Sequence, residues 1–449
     1  MLRVFFCRGR FLNSDIFSNI FTKDKTGGNM VKSTITCDME GVIETYNEGA
    51  QSIFGYAADE VIGKKRVSLF SPGLVVLQNV EGWLKTAREQ QEYTGKTVFV
   101  RKDGSTFPAH IRITPTFKEG QQVGYCGVTE PINEQVDVPI RWSTKLISWL
   151  VVTRAPFLTA ALMPLFIGGA FASLGMAAGT FPVFHFALAV VGVALLHLAS
   201  NVYNDYFDWK SGTDQANTSY FLKYSGGSRA IELGLIDLAG TFRVATTLLT
   251  VAVAIGLYLT WQVGTGVLLY GLIGAGLGFF YTAPPVRLVA RHGIGELAIG
   301  LAFGPLITAG VGYVVTGQYD ATWVTFLLGV PVGLLTANIL VMNQVPDFVS
   351  DSLTGKNHLI VTLGPERTPY VYGAILTLAL TFHTWIVLTI PGATVLWWIP
   401  FVALVGYGVA IMNHIVKYLG TRELVKANVR TITLNIVYGV LFAIVIAFM

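Results

Sequence analysis

From residue 150 onward, long apolar stretches alternate with short polar ones. The stretches span about 150–172, 180–202, 243–262, 266–283, 296–316, 322–345, 369–390, 394–416 and 430–449. Each is close to the roughly 20 residues that cross a bilayer as a helix. They are continuous rather than alternating, which argues for helices, since only helices satisfy their own backbone in lipid without closing into a barrel. Residues 33–130 show a different pattern of short runs broken by turn signals. The pattern predicts a multidomain chain: an α+β domain followed by an all-α integral membrane bundle of nine transmembrane helices. The expected boundaries are a leader at 1–32, the α+β domain at 33–130, a linker at 131–149 and the bundle at 150–449.

Within 33–130, "STITCDMEGVIETYN" reads as two strand-like runs about a turn at Met39-Glu40-Gly41. "EGAQSIFGYAADEVIGKK" is helical, with Ile53, Phe54 and Tyr56 as core candidates. "KTVFVRKDGSTFPAHIRITPTF" is a hairpin: Val98–Val100 enter the turn Lys102-Asp103-Gly104-Ser105 and Phe107–Ile113 return. "QVGYCGVTE" supplies a last strand.

Composition separates the two regions. The chain has 449 residues, 52% hydrophobic and 13% charged, against about 25% charged in a soluble domain. Of its 31 Lys and Arg, 18 precede residue 150. The net charge of +4 does not call for nucleic acid, because topology accounts for the basic residues. Cys7, Cys37 and Cys126 have no metal-type spacing and read as reduced thiols in a cytosolic domain. Residues 1–30 lack the features of a secretory signal. Met30 follows "TGGN", whose codons could spell a ribosome-binding sequence, so translation is expected to begin there or the leader to be disordered or loosely helical.

Basic residues orient the bundle. The loops after stretches 2, 4, 6 and 8 hold twelve Lys and Arg, and those after 1, 3, 5 and 7 hold none. The inner plasma membrane is the expected location, with the α+β domain cytoplasmic. Stretches 2 and 6 then end on the cytoplasmic side, and each ends in acids. "NVYNDYFDWKSGTD" puts Asn201, Asn204, Asp205 and Asp208 at i, i+3, i+4 and i+7, on one helix face. Gly212 is expected to break that helix just before Asp214. "NQVPDFVSDSLTGK" puts Asn343, Asp347 and Asp351 at i, i+4 and i+8, with Pro346 loosening the helix and Gly355 stopping it.

Carboxylates stacked at a helix C-terminus repel one another and the macrodipole. Two such clusters facing each other make an oxygen-ligand site for a hard cation. Mg²⁺ commonly combines one or two carboxylates with substrate phosphates. Lys210, Lys223, Arg229, Arg287, Arg291 and Lys356 would meet the anion. The alternative, surface salt bridges, explains one cluster better than two. A diphosphate at the surface with an isoprenoid tail in the apolar bundle explains both the acids and what lies behind them. His197 is expected to be neutral and bonded between helices. Tyr203, Tyr206 and Trp209 line the mouth or sit as interfacial aromatics.

Residues 33–130 resemble the PAS family through "DMEGVIETYNEGAQSIFGY", "DEVIGK" and "RKDGSTFPAHI". The resemblance implies a sheet with flanking helices that holds an unknown sensory ligand or serves as a dimerisation module. Residues from about 145 to 449 resemble the UbiA superfamily of intramembrane prenyltransferases. The motifs are "NDYFDWKSGTD" and "DFVSD", supported by "TRAPFLTAALMPLFIG", "YSGGSRAIELGLI", "YTAPPVRL", "GIGELAIGLAFGPL" and "GKNHLIVTLG". That resemblance implies Mg²⁺-dependent transfer of a polyprenyl group from its diphosphate to an acceptor. It assigns Asn204, Asp205, Asp208, Asp347 and Asp351 to metal and diphosphate. Lys210, Arg229, Lys356 and Asp214 join them as substrate contacts, with Arg229 equally readable as a topology signal.

The six-residue gap from Asp208 to Asp214 is similar to that of the 1,4-dihydroxy-2-naphthoate prenyltransferases of menaquinone synthesis. The 4-hydroxybenzoate branch has a "KR" pair where this chain has "TAPPVRLVARHG". Another phenol or a lipid alcohol is the alternative acceptor. A PAS-gated transporter or sensor is the alternative class: acids gathered at one surface rather than the midplane disfavour the transporter, and the intact paired motifs disfavour a sensor without catalysis. All motif residues follow position 135, so removing 1–135 is expected to leave basal catalysis.

Overall fold

The structure is a computed structural model. It describes residues 32–174, 176–177, 179–217 and 227–449. The leader with Cys7 and Met30, and Lys223, lie outside the described residues. The chain divides into two compact units. One comprises the described residues up to Phe70 together with Trp83–Val138; the other comprises Ser71–Gly82 and Pro139–Met449.

The first unit is built on a five-stranded antiparallel sheet. Its strands are β1 (Ser33–Asp38), β2 (Ile43–Tyr46), β3 (Tyr93–Val100), β4 (Thr106–Lys118) and β5 (Gln121–Pro131), in the order β2-β1-β5-β4-β3. The Asp38 carboxylate closes the first turn by accepting from the amides of Glu40 and Val42, both at 2.8 Å. The predicted hairpin forms, with Val100 opposite Thr106 and Tyr93 opposite Ile113. Helix α1 (Glu48–Phe54) starts at Asn47, whose side chain accepts from the Ala50 amide, and buries Ile53 and Phe54. Tyr56 is only half-buried, because it lies past the helix end beneath the Lys102 ammonium.

In the second unit, Trp142–Val152 forms a separate helix, α2. It ends where Arg154 takes a left-handed φ of 53°. The first span therefore begins at Ala155, not residue 150, and runs to Ser173. Helix α3 (Thr159–Ser173) completes it. The Gln78 side chain holds the start of α2: its oxygen accepts from the Arg141 amide at 2.8 Å and the Thr144 hydroxyl at 2.9 Å, and its nitrogen donates to the Pro139 carbonyl at 3.0 Å. Gly73, in the same segment, packs so closely that a Cβ would stand 2.2 Å from the Leu233 carbonyl oxygen.

The bundle continues with α4 (Val183–Ser211), α5 (Leu238–Val263), α6 (Gly266–Phe280), α7 (Ile294–Thr316, with a π-helical turn at Ala302–Leu306) and α8 (Asp320–Leu353). A short helix α9 (Leu359–Leu363) precedes α10 (Thr368–Thr389), α11 (Trp398–Tyr418) and α12 (Val425–Ala447). Among the described residues, eight helices are long and apolar enough to cross a membrane. The fourth expected stretch is the exception: α6 has 15 residues, about 22 Å of helix at 1.5 Å per residue.

Helices α7 and α8 meet backbone to backbone. A Cβ on Gly304 would lie 2.3 Å from the Gly329 carbonyl oxygen, and one on Gly333 would lie 2.1 Å from that of Gly300. Small residues permit this approach, and dispersion rather than the hydrophobic effect rewards it in lipid. Met163, Leu328, Tyr372, Trp397, Tyr438 and Phe442 form part of the main core between α3, α8, α10, α11 and α12.

Candidate active site

The last turns of α4 carry Asn201, Asn204, Asp205 and Asp208. Gly212, at φ 81°, ends the helix, and its amide donates to the Asp208 and Trp209 carbonyls. One further turn, Thr213–Ala216, turns back and buries Asp214. The end of α8 carries Asn343, Asp347 and Asp351; it stays helical across Pro346 and stops at Leu353. Asn428 on α12 donates to the Asn343 side-chain oxygen at 3.0 Å. The two acidic segments touch directly. Asn217 Nδ2 donates to Asp347 Oδ1 at 2.7 Å, and the Thr213 and Thr354 hydroxyls are 3.0 Å apart.

Protein cations partly balance these acids. Lys356 Nζ lies 2.8 Å from Asp208 Oδ2 and 3.9 Å from Asp351 Oδ2. Arg154 Nη1 is 3.8 Å from Asp205 Oδ1. Arg229 donates to the Asp214 carbonyl at 2.6 Å, lies 3.8 Å from its carboxylate and also pairs with Glu232. Burial, then the Asp208 and Asp205 carboxylates, push the Asp214 carboxyl well above the usual range despite Arg229 and Lys356. Burial alone would lower Lys356, but the Asp208 and Asp351 carboxylates outweigh it and hold the ammonium above its ordinary value. The site has room for more positive charge.

The residues present suit a hard divalent cation. Every candidate ligand is a carboxylate or amide oxygen, the donor type Mg²⁺ takes. Asn204 Oδ1 and Asp205 Oδ2 are buried with no hydrogen-bond partner among the described residues. Such atoms are costly unless a partner arrives. Among the described residues no three acids, histidines or cysteines are already gathered as a metal-ligand set; several carboxylates turn toward Lys356, Arg154 and Arg229 instead.

Behind the acids lies a cavity of about 390 Å³. Its polar end includes Asn204, Asp208, Asp214, Asp347, Asp351 and Lys356. It continues among apolar side chains such as Leu259, Val267 and Val311. His197, buried on α4, meets the Phe303 ring edge-on at 4.7 Å and lines this space. Its Nδ1 has no hydrogen-bond partner among the described residues, so the expected helix-to-helix bond at that atom is not formed.

Asn204, Asp205, Asp208, Asp214, Asp347, Asp351, Arg229 and Lys356 are thus brought together. Lys210 is not: it is exposed, over the Tyr206 ring at 5.4 Å, and outside the cavity lining. Standing two residues past Asp208, about 200° around the helix, it points away from the acidic face. Arg154, Asn217 and His358 are among the lining residues that the sequence reading did not place in the site. Arg154 stands in "TRAPF" and His358 in "GKNHL", but only the fold brings either to the acids.

The sequence model of the UbiA prenyltransferase family matches residues 161–437. The chain belongs to this family. A PAS domain model matches residues 31–130. The protein is therefore a multi-pass UbiA-family prenyltransferase with an N-terminal PAS domain. It is 25% identical over 263 residues to 1,4-dihydroxy-2-naphthoate octaprenyltransferase of Bacillus subtilis (strain 168), which covers 58% of this chain and 78% of the relative. It is 30% identical over 238 residues to the enzyme of that name from Mycobacterium tuberculosis (strain ATCC 25618 / H37Rv), covering 52% and 76%. The apo structure of a UbiA homolog from Aeropyrum pernix K1 matches with a TM-score of 0.51 at 16% identity, over 65% of this chain and 98% of that one. That likeness is one of fold.

Proposed function

We propose that this UbiA prenyltransferase transfers a polyprenyl group from its diphosphate to 1,4-dihydroxy-2-naphthoate. The observation that carries the chemistry is the convergence of two acidic helix ends on an apolar cavity, with Asn204 Oδ1 and Asp205 Oδ2 left without partners. The acceptor is supported by the names of the two relatives and by the spacing from Asp208 to Asp214.

Asn204, Asp205, Asp208, Asp347 and Asp351 would hold Mg²⁺. When bound, the metal supplies Lewis-acid stabilisation of the departing diphosphate. Lys356, Arg154 and Arg229 would offer donors to the diphosphate oxygens. The apolar cavity would hold the polyprenyl tail and exclude water from the allylic cation, while Phe303 and Tyr281 present ring faces or edges near it. The allylic C–O bond breaks with its electron pair leaving on the diphosphate. The acceptor ring carbon forms the new C–C bond and loses its carboxyl group as CO₂.

The Lys and Arg bias supports an orientation with the acidic mouth and the PAS domain in the cytoplasm, in the plasma membrane. A sensory role for the PAS domain in tuning this reaction belongs to the same reading. The test is an acceptor panel with purified protein, a polyprenyl diphosphate and Mg²⁺, read by product mass. Prenylated, decarboxylated naphthoate is expected. Product only from 4-hydroxybenzoate or a lipid alcohol would overturn the acceptor assignment.

A further inference from the structure

His358 lies in the strap between α8 and α9, and no part of the mechanism above uses it. Its side chain is wholly buried, yet it lines the cavity at the acidic end. Its two ring nitrogens have different tasks. Nδ1 accepts from the Val361 amide at 3.2 Å, capping α9. A backbone N–H can only donate, so Nδ1 carries the lone pair and the ring proton sits on Nε2. That N–H lies 3.2 Å from Asp351 Oδ2, but it is not aligned for a hydrogen bond there or to any other described residue.

The ring is held firmly. The Leu359 amide donates to Glu296 Oε1 at 2.8 Å, and the same oxygen accepts from Gln344 Nε2 at 2.7 Å, tying the strap to α7 and α8. The neighbouring Asn357 carbonyl accepts from the His292 amide at 2.8 Å. A buried N–H with a fixed direction and no aligned acceptor among the described residues is unfavourable. It gains a partner when an anionic oxygen enters beside Asp351 and Lys356.

We infer that His358 Nε2–H is a diphosphate-binding donor, in addition to the basic residues. The inference rests on the diphosphate reading above. It assigns the ring two separable functions, a helix cap through Nδ1 and an anion contact through Nε2.

Two substitutions separate them. His358→Asn keeps an acceptor for the Val361 amide, since Asn is a good N-cap, but does not reach Asp351. His358→Gln places a side-chain N–H near the Nε2 position but gives up the cap. Binding of inorganic pyrophosphate to the full-length protein in Mg²⁺ is measured by calorimetry, alongside Tm. His358→Asn should weaken binding about tenfold or more with Tm nearly unchanged. His358→Gln should lower Tm yet keep most of the affinity. If pyrophosphate affinity instead follows Tm across the two variants, or His358→Asn binds as the wild type does, His358 is only a cap. Wild-type protein that fails to bind pyrophosphate would overturn the diphosphate reading itself along with this inference.

Discussion

Lys356 Nζ lies 2.8 Å from Asp208 Oδ2, so a base in the strap after α8 neutralises an acid at the end of α4. The two residues are 148 positions apart. The pair fixes the two halves of the site against each other, and both partners are largely buried.

Replacing Lys356 with Met should therefore destabilise the protein by about 3 kcal/mol, because Asp208 and Asp351 lose the cation that pairs with them in a largely buried site. Transfer activity should fall about a hundredfold. Added Mg²⁺ should raise the variant's Tm more than it raises that of the wild type. Equal Mg²⁺-induced shifts in both proteins would show that the ammonium and the metal do not share the site.

Asp205→Asn and Asp347→Asn should each reduce diphosphate release about a hundredfold or more while far-UV circular dichroism stays that of the folded bundle. The substitutions preserve shape and remove one ligand charge each. Wild-type rates in either variant would defeat the metal assignment.

Gly227 sits at φ 75°, and a Cβ there would stand 2.9 Å from Asp205 Oδ1 and 3.4 Å from Asp214 Oδ1. Gly234, at φ 65°, has open space in the same place. Alanine at either should cost about 1–2 kcal/mol of backbone strain. Only Gly227→Ala should also lower kcat, about tenfold or more, by displacing a carboxylate. Equal kcat losses in the two variants would attribute the effect to strain alone.

Burial pushes the Cys37 thiol up to about 12, although the Tyr125 amide works against it. At pH 8 roughly one molecule in ten thousand then carries the reactive thiolate. Iodoacetamide should leave the Cys37 peptide unmodified in native protein and alkylate it after denaturation, as peptide mass would show. Rapid native alkylation would mean that the first strand opens readily.

The parts of this site that one sequence could show were those written in local spacing. Asn204, Asp205 and Asp208 share a helix face by arithmetic, and Gly212 ends that helix because only glycine takes its φ easily. The partners Asn217–Asp347 and Arg154–Asp205 depend on packing between distant segments, which no local pattern encodes. The shift of the first span from 150 to Ala155 has a local cause that hydropathy cannot register: a left-handed arginine inside an apolar run. Lys210 shows the reverse error, a charge near the motif in sequence that faces away in space.

Gln78 gives the N-terminal region a boundary that no single cut can respect. Its three hydrogen bonds to Pro139, Arg141 and Thr144 make Ser71–Gly82 a structural piece of the helical unit, although the PAS match runs through it. A truncation at residue 135 therefore does more than remove the PAS domain. It strips the start of α2 of its cap and uncovers the Leu233 backbone against which Gly73 packs. The two units are interleaved along the gene, and a catalytic fragment faithful to the fold has to retain a twelve-residue splint from the middle of its neighbour.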